Sequence, residues 1–256
     1  MTKKHSAIGR RYDWIPDLPD HRDKYFLPRR DASLPPSVDL SPRCSPVEDQ
    51  GNLGACTAHA LAGALEFLED KDGVPFKDVS RLMIYYNERA IEQSISRDAG
   101  AEIRDGVRSL HQTGVCDEVL WPYEPENFKT RPSLAAYADA ATRKIDEYRR
   151  VIGIDAMRAC LAEGYPFAFG FTVYEGFESD AVARAGELQM PRPSEQCLGG
   201  HAVLAVGYND ADRRVLVRNS WGRGWGINGY FWMPYDYIGS AKLADDAWTI
   251  RKGSSL

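Results

Sequence analysis

Two segments of the 256-residue chain concentrate side chains that can make and break bonds. One is Gln50-Gly51-Asn52-Leu53-Gly54-Ala55-Cys56-Thr57-Ala58-His59-Ala60. The other opens with Gly199-Gly200-His201-Ala202-Val203 and resumes as Arg218-Asn219-Ser220-Trp221-Gly222-Arg223-Gly224-Trp225-Gly226. A thiol is a poor nucleophile until it loses its proton, and a thiolate needs positive potential around it. A cysteine in the first turn of a helix meets unpaired amide N–H groups and the positive end of the dipole. A nearby imidazolium supplies the rest, which makes Cys56 and His201 a candidate thiolate–imidazolium pair. Acyl transfer also needs donors aimed at the oxygen that becomes negative, and the Cys56 N–H and the Gln50 amide are two. His201 must return a proton to the leaving amine, so its ring needs a fixed orientation. Asn219 can fix it by accepting from one ring nitrogen, with Trp221 covering that bond.

Such a site needs a helix that starts at the cysteine and strands that carry the histidine and asparagine. Between Cys56 and Lys71, Leu61, Ala64, Leu65 and Leu68 recur at helical spacing, with Glu66, Glu69 and Asp70 opposite. Residues 52–54 read as the loop leading in, and glycines at 51 and 54 allow close backbone packing. Further helices are predicted over about 80–93, with Ser80 as N-cap, 103–113, and an Ala-rich 133–145. Past residue 148 the pattern turns to short strands at 167–174, 201–208, 214–219 and 229–233. Helices first and strands later predict an α+β protein of two unlike halves, with the site in the cleft between them. Residues 10–36 carry Pro16, Pro19, Pro28, Pro35 and Pro36 and read as an extended arm. Trp14, Ile15, Leu18, Tyr25 and Phe26 give it too much apolar surface for a solvated linker, so it should lie against the body.

Composition sets the outer bounds. With 43% hydrophobic and 27% charged residues, the chain is an ordinary globular protein. A formal charge of −5, with basic pairs only at Arg29-Arg30, Arg149-Arg150 and Arg213-Arg214, argues against nucleic-acid partners. No apolar stretch approaches the roughly 20 residues that span a bilayer, so no membrane is implied. No h-region follows the polar residues 1–11, so the expected location is the cytoplasm or a destination reached without a Sec signal. Five cysteines (Cys44, Cys56, Cys116, Cys160 and Cys197) are too few and odd in number for a disulfide scaffold.

The two segments resemble the active-site blocks of papain-like cysteine peptidases. The shared features are the Gln-to-Cys interval, the apolar strand behind the histidine, and the Asn-Ser-Trp-Gly-x-Gly-Trp-Gly run. Leu34-Pro35-Pro36-Ser37-Val38-Asp39 also resembles the start of the mature enzymes, and the similarity spans about residues 34–250. The resemblance implies a two-lobed fold: a helical half near 46–132, and a strand-rich, β-barrel-like half from 133 to 250 completed by 34–45. Residues 1–33 stand apart as a Pro-rich extension, too short for the helical propeptide of familiar zymogens but able to cover the cleft. It further implies Gln50, Cys56, His201 and Asn219 as the catalytic set. Gly100, Gly200, Trp221 and Trp225 would line the substrate cleft, with Trp225 on the leaving-group side.

Several positions depart from the plant and lysosomal pattern. Leu53 stands where a disulfide cysteine is usual, Thr57 replaces an aromatic after the nucleophile, and the Gly-Gly substrate loop is reduced to Asp98-Ala99-Gly100-Ala101. These departures fit a bacterial-type member. His59 lies one helical turn from Cys56, although a histidine there is more often packed core. The expected reaction is peptide hydrolysis through a Cys56 thioester, with no metal or organic cofactor. Peptide or protein substrates and proteinaceous cysteine-protease inhibitors are the implied partners. Acyl transfer to an amine and a non-catalytic binding role are the rival readings. The second requires loss of one of the four catalytic residues, and all four are present.

Overall fold

The computed structural model describes residues 9–29 and 33–252; 1–8, 30–32 and 253–256, including Arg30, lie outside the described residues. The chain order is β1 (Ser37–Asp39), α1 (Cys56–Lys71), α2 (Arg81–Ile91), α3 (Ile103–Gln112), α4 (Leu134–Ala140), β2 (Glu147–Arg150), α5 (Ile154–Ala162) and β3 (Phe167–Tyr174). It continues through α6 (Asp180–Ala185), β4 (Cys197–Asn209), β5 (Arg214–Arg218), β6 (Tyr230–Pro234), α7 (Tyr235–Ile238) and β7 (Ala244–Arg251). The sheet runs β2-β7-β3-β4-β5-β6 with every pairing antiparallel, and β1 joins β4. This path is open rather than closed, so the expected barrel-like half is an antiparallel sheet. Ser80 caps α2 by accepting from the Met83 N–H, as its sequence position predicts.

Strand periodicity divides the core. On β4, Ala202, Leu204 and Val206 face α1 and the helical cluster of Leu61, Leu65, Leu82 and Val107. Their neighbours Val203 and Ala205 face a second cluster with Phe167, Phe169, Phe171, Phe177 and Phe231. Phe171, Phe177 and Phe231 meet mostly edge to face with centroids 5.2–6.2 Å apart. Each such fully buried ring stabilises by roughly 1.5–3 kcal/mol. The same alternation sends the side chain of His201 to the aromatic side, where Phe171 and Phe177 flank it.

Four elements differ from the sequence expectation. The predicted 133–145 helix stops at Ala140, because the Ala140 carbonyl is packed against Gly114 and Arg143 turns its own carbonyl to the Val115 N–H. Helix α5 and strands β2 and β7 were not signalled by periodicity. In β7, Asp245 and Asp246 interrupt the alternation. They are accommodated because Arg150 of β2 pairs with both.

The arm crosses the body as an extended chain. Asp13 and Trp14 bridge to Gly200 and Ala101, and further along Tyr25 bridges to Arg150. Phe26 is buried in the aromatic cluster, whereas Tyr25 is about half exposed. Asp17 fastens the middle of the arm: its carboxylate accepts from Trp248 Nε1 at 2.7 Å and from the Arg104 N–H at 3.1 Å.

Candidate active site

Cys56 is the first residue of α1, and Ala55 before it makes no side-chain cap, so the terminal N–H groups stay directed at the thiol end of the helix. Thr57, which follows, donates its hydroxyl to Glu88 Oε2 at 2.8 Å. Burial holds the Glu88 carboxyl well above its usual range. His201 sits on β4 and Asn219 follows the paired strand β5, which brings the two side by side. His201 Nε2 lies 2.8 Å from Asn219 Oδ1, and that oxygen also accepts the Ser220 N–H. Trp221 stacks on the imidazole with centroids 5.3 Å apart and planes at 27°. Trp225 packs edge-on against Trp221 and Phe231.

Gln50 is held from several sides. Its N–H donates to the Ser220 carbonyl, its Oε1 accepts from Ser220 Oγ at 2.6 Å, and its Nε2 donates to the Leu53 carbonyl at 3.0 Å. Tyr123 O–H reaches its backbone carbonyl at 2.9 Å. Leu53 is buried, so the loop has no bridge at that position; instead the Gly54 N–H donates to Asp98 Oδ1 at 3.0 Å. The four catalytic candidates are thus gathered around one helix end and one strand pair, all buried. His59 is not part of this group. Its Nδ1 lies 2.9 Å from the Ala55 carbonyl, its ring meets Tyr123 edge-on, and burial lowers its pKa to about 3. It is a core histidine.

The arm packs against these residues. Trp14 N–H donates to the Gly200 carbonyl at 2.9 Å, and Ile15 N–H donates to the Ala101 carbonyl at 3.1 Å. Gly100 has φ +72°, and a Cβ there would fall 1.6 Å from the Asp13 carbonyl oxygen. The Trp14 indole lies on Gly170 and Gly200, whose added Cβ atoms would come 1.9 and 2.6 Å from it. Tyr12 meets His201 edge-on at 6.1 Å and donates its hydroxyl to Glu178 at 2.7 Å. Arg10 lies over Trp221 and pairs with Asp49 at 2.6 Å.

Burial has an electrostatic consequence. Burial pushes the Cys56 thiol up to about 12, against hydrogen bonding to the Ala202 and Thr57 backbone. Burial also lowers His201 to about 4, although its Asn219 contact works the other way. Burial thus works against the charged form of each group. Tyr12, Arg10, Phe177, Ser220 and Tyr123 escaped the sequence reading because their contacts span tens to more than a hundred residues. Asp98 and Gly100 had a signal in the short Asp-Ala-Gly-Ala run. Among the described residues, no three His, Cys, Asp or Glu side chains converge on a metal-sized site. No described helix is long and apolar enough to cross a membrane.

Comparison with known proteins assigns the family. The sequence profile of the papain family cysteine proteases matches residues 34–250. The chain belongs to the papain family. An uncharacterised peptidase C1-like protein, L477, of Acanthamoeba polyphaga mimivirus is 40% identical over 281 residues, spanning 96% of this chain and 88% of that one. Pro-cathepsin H of Bos taurus is 26% identical over 239 residues, 88% of this chain and 67% of its own length. Xylellain, a cysteine protease from Xylella fastidiosa, superposes with a TM-score of 0.90 at 45% identity, covering 95% of this chain and 96% of that one. This papain-family chain is a cysteine peptidase with a mixed α+β fold, and the xylellain likeness places it beside a bacterial member.

Proposed function

We propose that the chain hydrolyses peptide bonds through a thioester on Cys56, with His201 as general acid and base. Asn219 orients the imidazole, and Gln50 with the Cys56 N–H receives the oxyanion. The observation that carries this reading is the His201 Nε2–Asn219 Oδ1 contact of 2.8 Å beneath Trp221, beside a helix that begins at Cys56. The thiolate attacks the carbonyl carbon, the oxygen takes up the negative charge, and His201 gives its proton to the leaving nitrogen. Water then attacks the thioester, His201 accepting its proton, and the acid product leaves as the thiol is restored. Gly100, Gly200, Trp221 and Trp225 line the cleft that takes the peptide, and protein inhibitors of cysteine proteases would compete for it.

The arm restrains this activity. Residues 12–15 occupy the backbone positions of Gly200 and Ala101 that a peptide would use, and they keep water from the dyad, so the thiolate–imidazolium pair forms only when they lift. A thiol-directed epoxide followed by intact mass and peptide mapping tests both points. Cys56 should be the thiol labelled at mildly acidic pH, slowly in the wild type and faster in Trp14→Ala. Equal labelling of several cysteines at that pH would sink the nucleophile assignment. An unchanged Cys56 rate in Trp14→Ala would sink the lid.

A further inference from the structure

Asp98 carries a charge at the cleft that hydrolysis itself does not use. Its Oδ1 belongs to the body: it accepts the Gly54 N–H at 3.0 Å and the Tyr85 hydroxyl at 2.5 Å. Tyr85 is fully buried, and burial together with Asp98 raises its phenol well above the usual value, so it stays a donor. The Tyr85 oxygen is fixed in turn by the Gly100 N–H at 3.2 Å. Three separate segments therefore set the orientation of this carboxylate without help from the arm: α2, the loop before Cys56, and the glycine loop.

The second oxygen points to the arm. Arg11 Nη1 lies 2.8 Å from Asp98 Oδ2, and Nη2 donates to the Asp98 carbonyl at 2.9 Å. Arg11 brings a counter-ion of its own, because Nε also donates to Asp13 Oδ2 at 2.7 Å. When the arm lifts, Arg11 and Asp13 depart together. Asp98 remains, held by two neutral donors, with the oxygen that met Arg11 released and Arg89 of α2, stacked on Tyr85, as the cation still within electrostatic range. Beneath the arm the Asp98 side chain is 13% exposed. Gly54 keeps the approach open: a Cβ there would lie 3.0 Å from Asp98 Oδ1 and 3.1 Å from Asp13 Oδ2.

We propose that Asp98 is a specificity residue that selects an arginine or lysine side chain on the substrate residue donating the scissile carbonyl, and that Arg11 is its internal stand-in. The inference rests on the peptidase reading above. Asp98 bonds the loop two residues from Cys56, so the side chain that reaches it belongs to the residue whose carbonyl the thiol attacks. A guanidinium makes charge-assisted bonds to such a carboxylate, an interaction a neutral isostere cannot reproduce.

The test uses the full chain and coumarin amides of dipeptides that differ only in the acyl residue next to the amide: arginine, lysine, or the uncharged isostere citrulline. The arm must lift for each of them, so its occupancy cancels in ratios of kcat/KM. In the wild type, arginine should exceed citrulline by about tenfold or more at low ionic strength, and the ratio should shrink as salt is added. In Asp98→Asn, which keeps a side-chain oxygen for Gly54 and Tyr85, the ratio should fall close to one. Equal arginine and citrulline rates in the wild type overturn the proposal, even if the variant fails to fold. An undiminished ratio in Asp98→Asn overturns it as well. If no peptide is cleaved and the epoxide leaves Cys56 unlabelled, the peptidase reading falls and takes this one with it. Cleavage without a basic preference removes the Asp98 assignment alone.

Discussion

At the residue scale, chemistry and orientation are separable. Cys56→Ala and His201→Ala should abolish turnover, because each removes a group through which a bond or proton passes. Asn219→Ala should leave a weakened enzyme, since it frees the ring without removing the proton carrier. Gln50→Ala deletes one oxyanion donor and should cost about 2.7–4 kcal/mol, seen as a fall in kcat on a peptide amide. Full activity in that variant would refute the role. His59 makes a contrasting case, because its folded pKa of about 3 lies below the unfolded value of about 6.5. The unfolded chain then binds the extra proton, and His59 makes folding less favourable as pH falls through that window. Relative to His59→Gln, the wild type should lose roughly 2 kcal/mol between pH 7 and pH 5. Urea unfolding of both proteins at the two pH values reads this difference directly. A constant difference would mean that His59 titrates normally.

At the scale of elements, the arm is docked by shape as much as by bonds. Gly100 and Gly200 let its backbone approach, and Gly170 lets the indole of Trp14 lie flat. Gly100→Ala places a methyl where the Asp13 carbonyl now sits and strains a backbone at φ +72°. It should undock residues 12–15 without unfolding the sheet. Alkylation of Cys56 should then accelerate at least tenfold while far-ultraviolet circular dichroism is retained, and an unchanged alkylation rate would show that the arm does not gate the thiol. The sequence signalled the arm's extended character through its prolines and its docking through its aromatics. It did not signal that, among the described residues of the arm, 10–15 would meet His201, Trp221 and the glycine loops while Phe26 packs into the aromatic cluster, since both docking positions are apolar.

Across the whole molecule, the arm and body are joined through buried charge. Asp17 accepts from Trp248 of β7 and from the Arg104 N–H of α3, and its own N–H donates to Asp246 Oδ2 at 2.7 Å. Arg104 and Arg150 both reach Asp23 on the arm, at 2.7 and 3.2 Å. Removing Asp17 leaves the Trp248 indole N–H and the Arg104 N–H without their acceptor, although Arg104 keeps Asp23. Asp17→Ala should therefore destabilise by about 3–5 kcal/mol, a shift in the guanidinium midpoint with the slope retained. A change confined to the arm, with the midpoint of the body unmoved, would show that the two are not one cooperative unit.

The local chemistry was legible in the sequence because it depends on short-range order. Cys56 opens a helix because the apolar period begins there, and Gly-Gly-His-Ala-Val and Arg-Asn-Ser-Trp are strand and strand-end patterns that carry their own geometry. Strand β3 is found at the residues that its aromatic run predicts. What lay beyond the sequence depends on partners far along the chain. Whether the sheet closes is decided by register and twist summed over all its strands, and the result is an open path. β7 holds two aspartates that no strand pattern favours, and only Arg150 and the arm make them tolerable there. The burial that raises Cys56 and lowers His201 is likewise tertiary. The sequence names the thiol and the imidazole, but their desolvation comes from residues packed on them from far along the chain, Tyr12 against His201 among them.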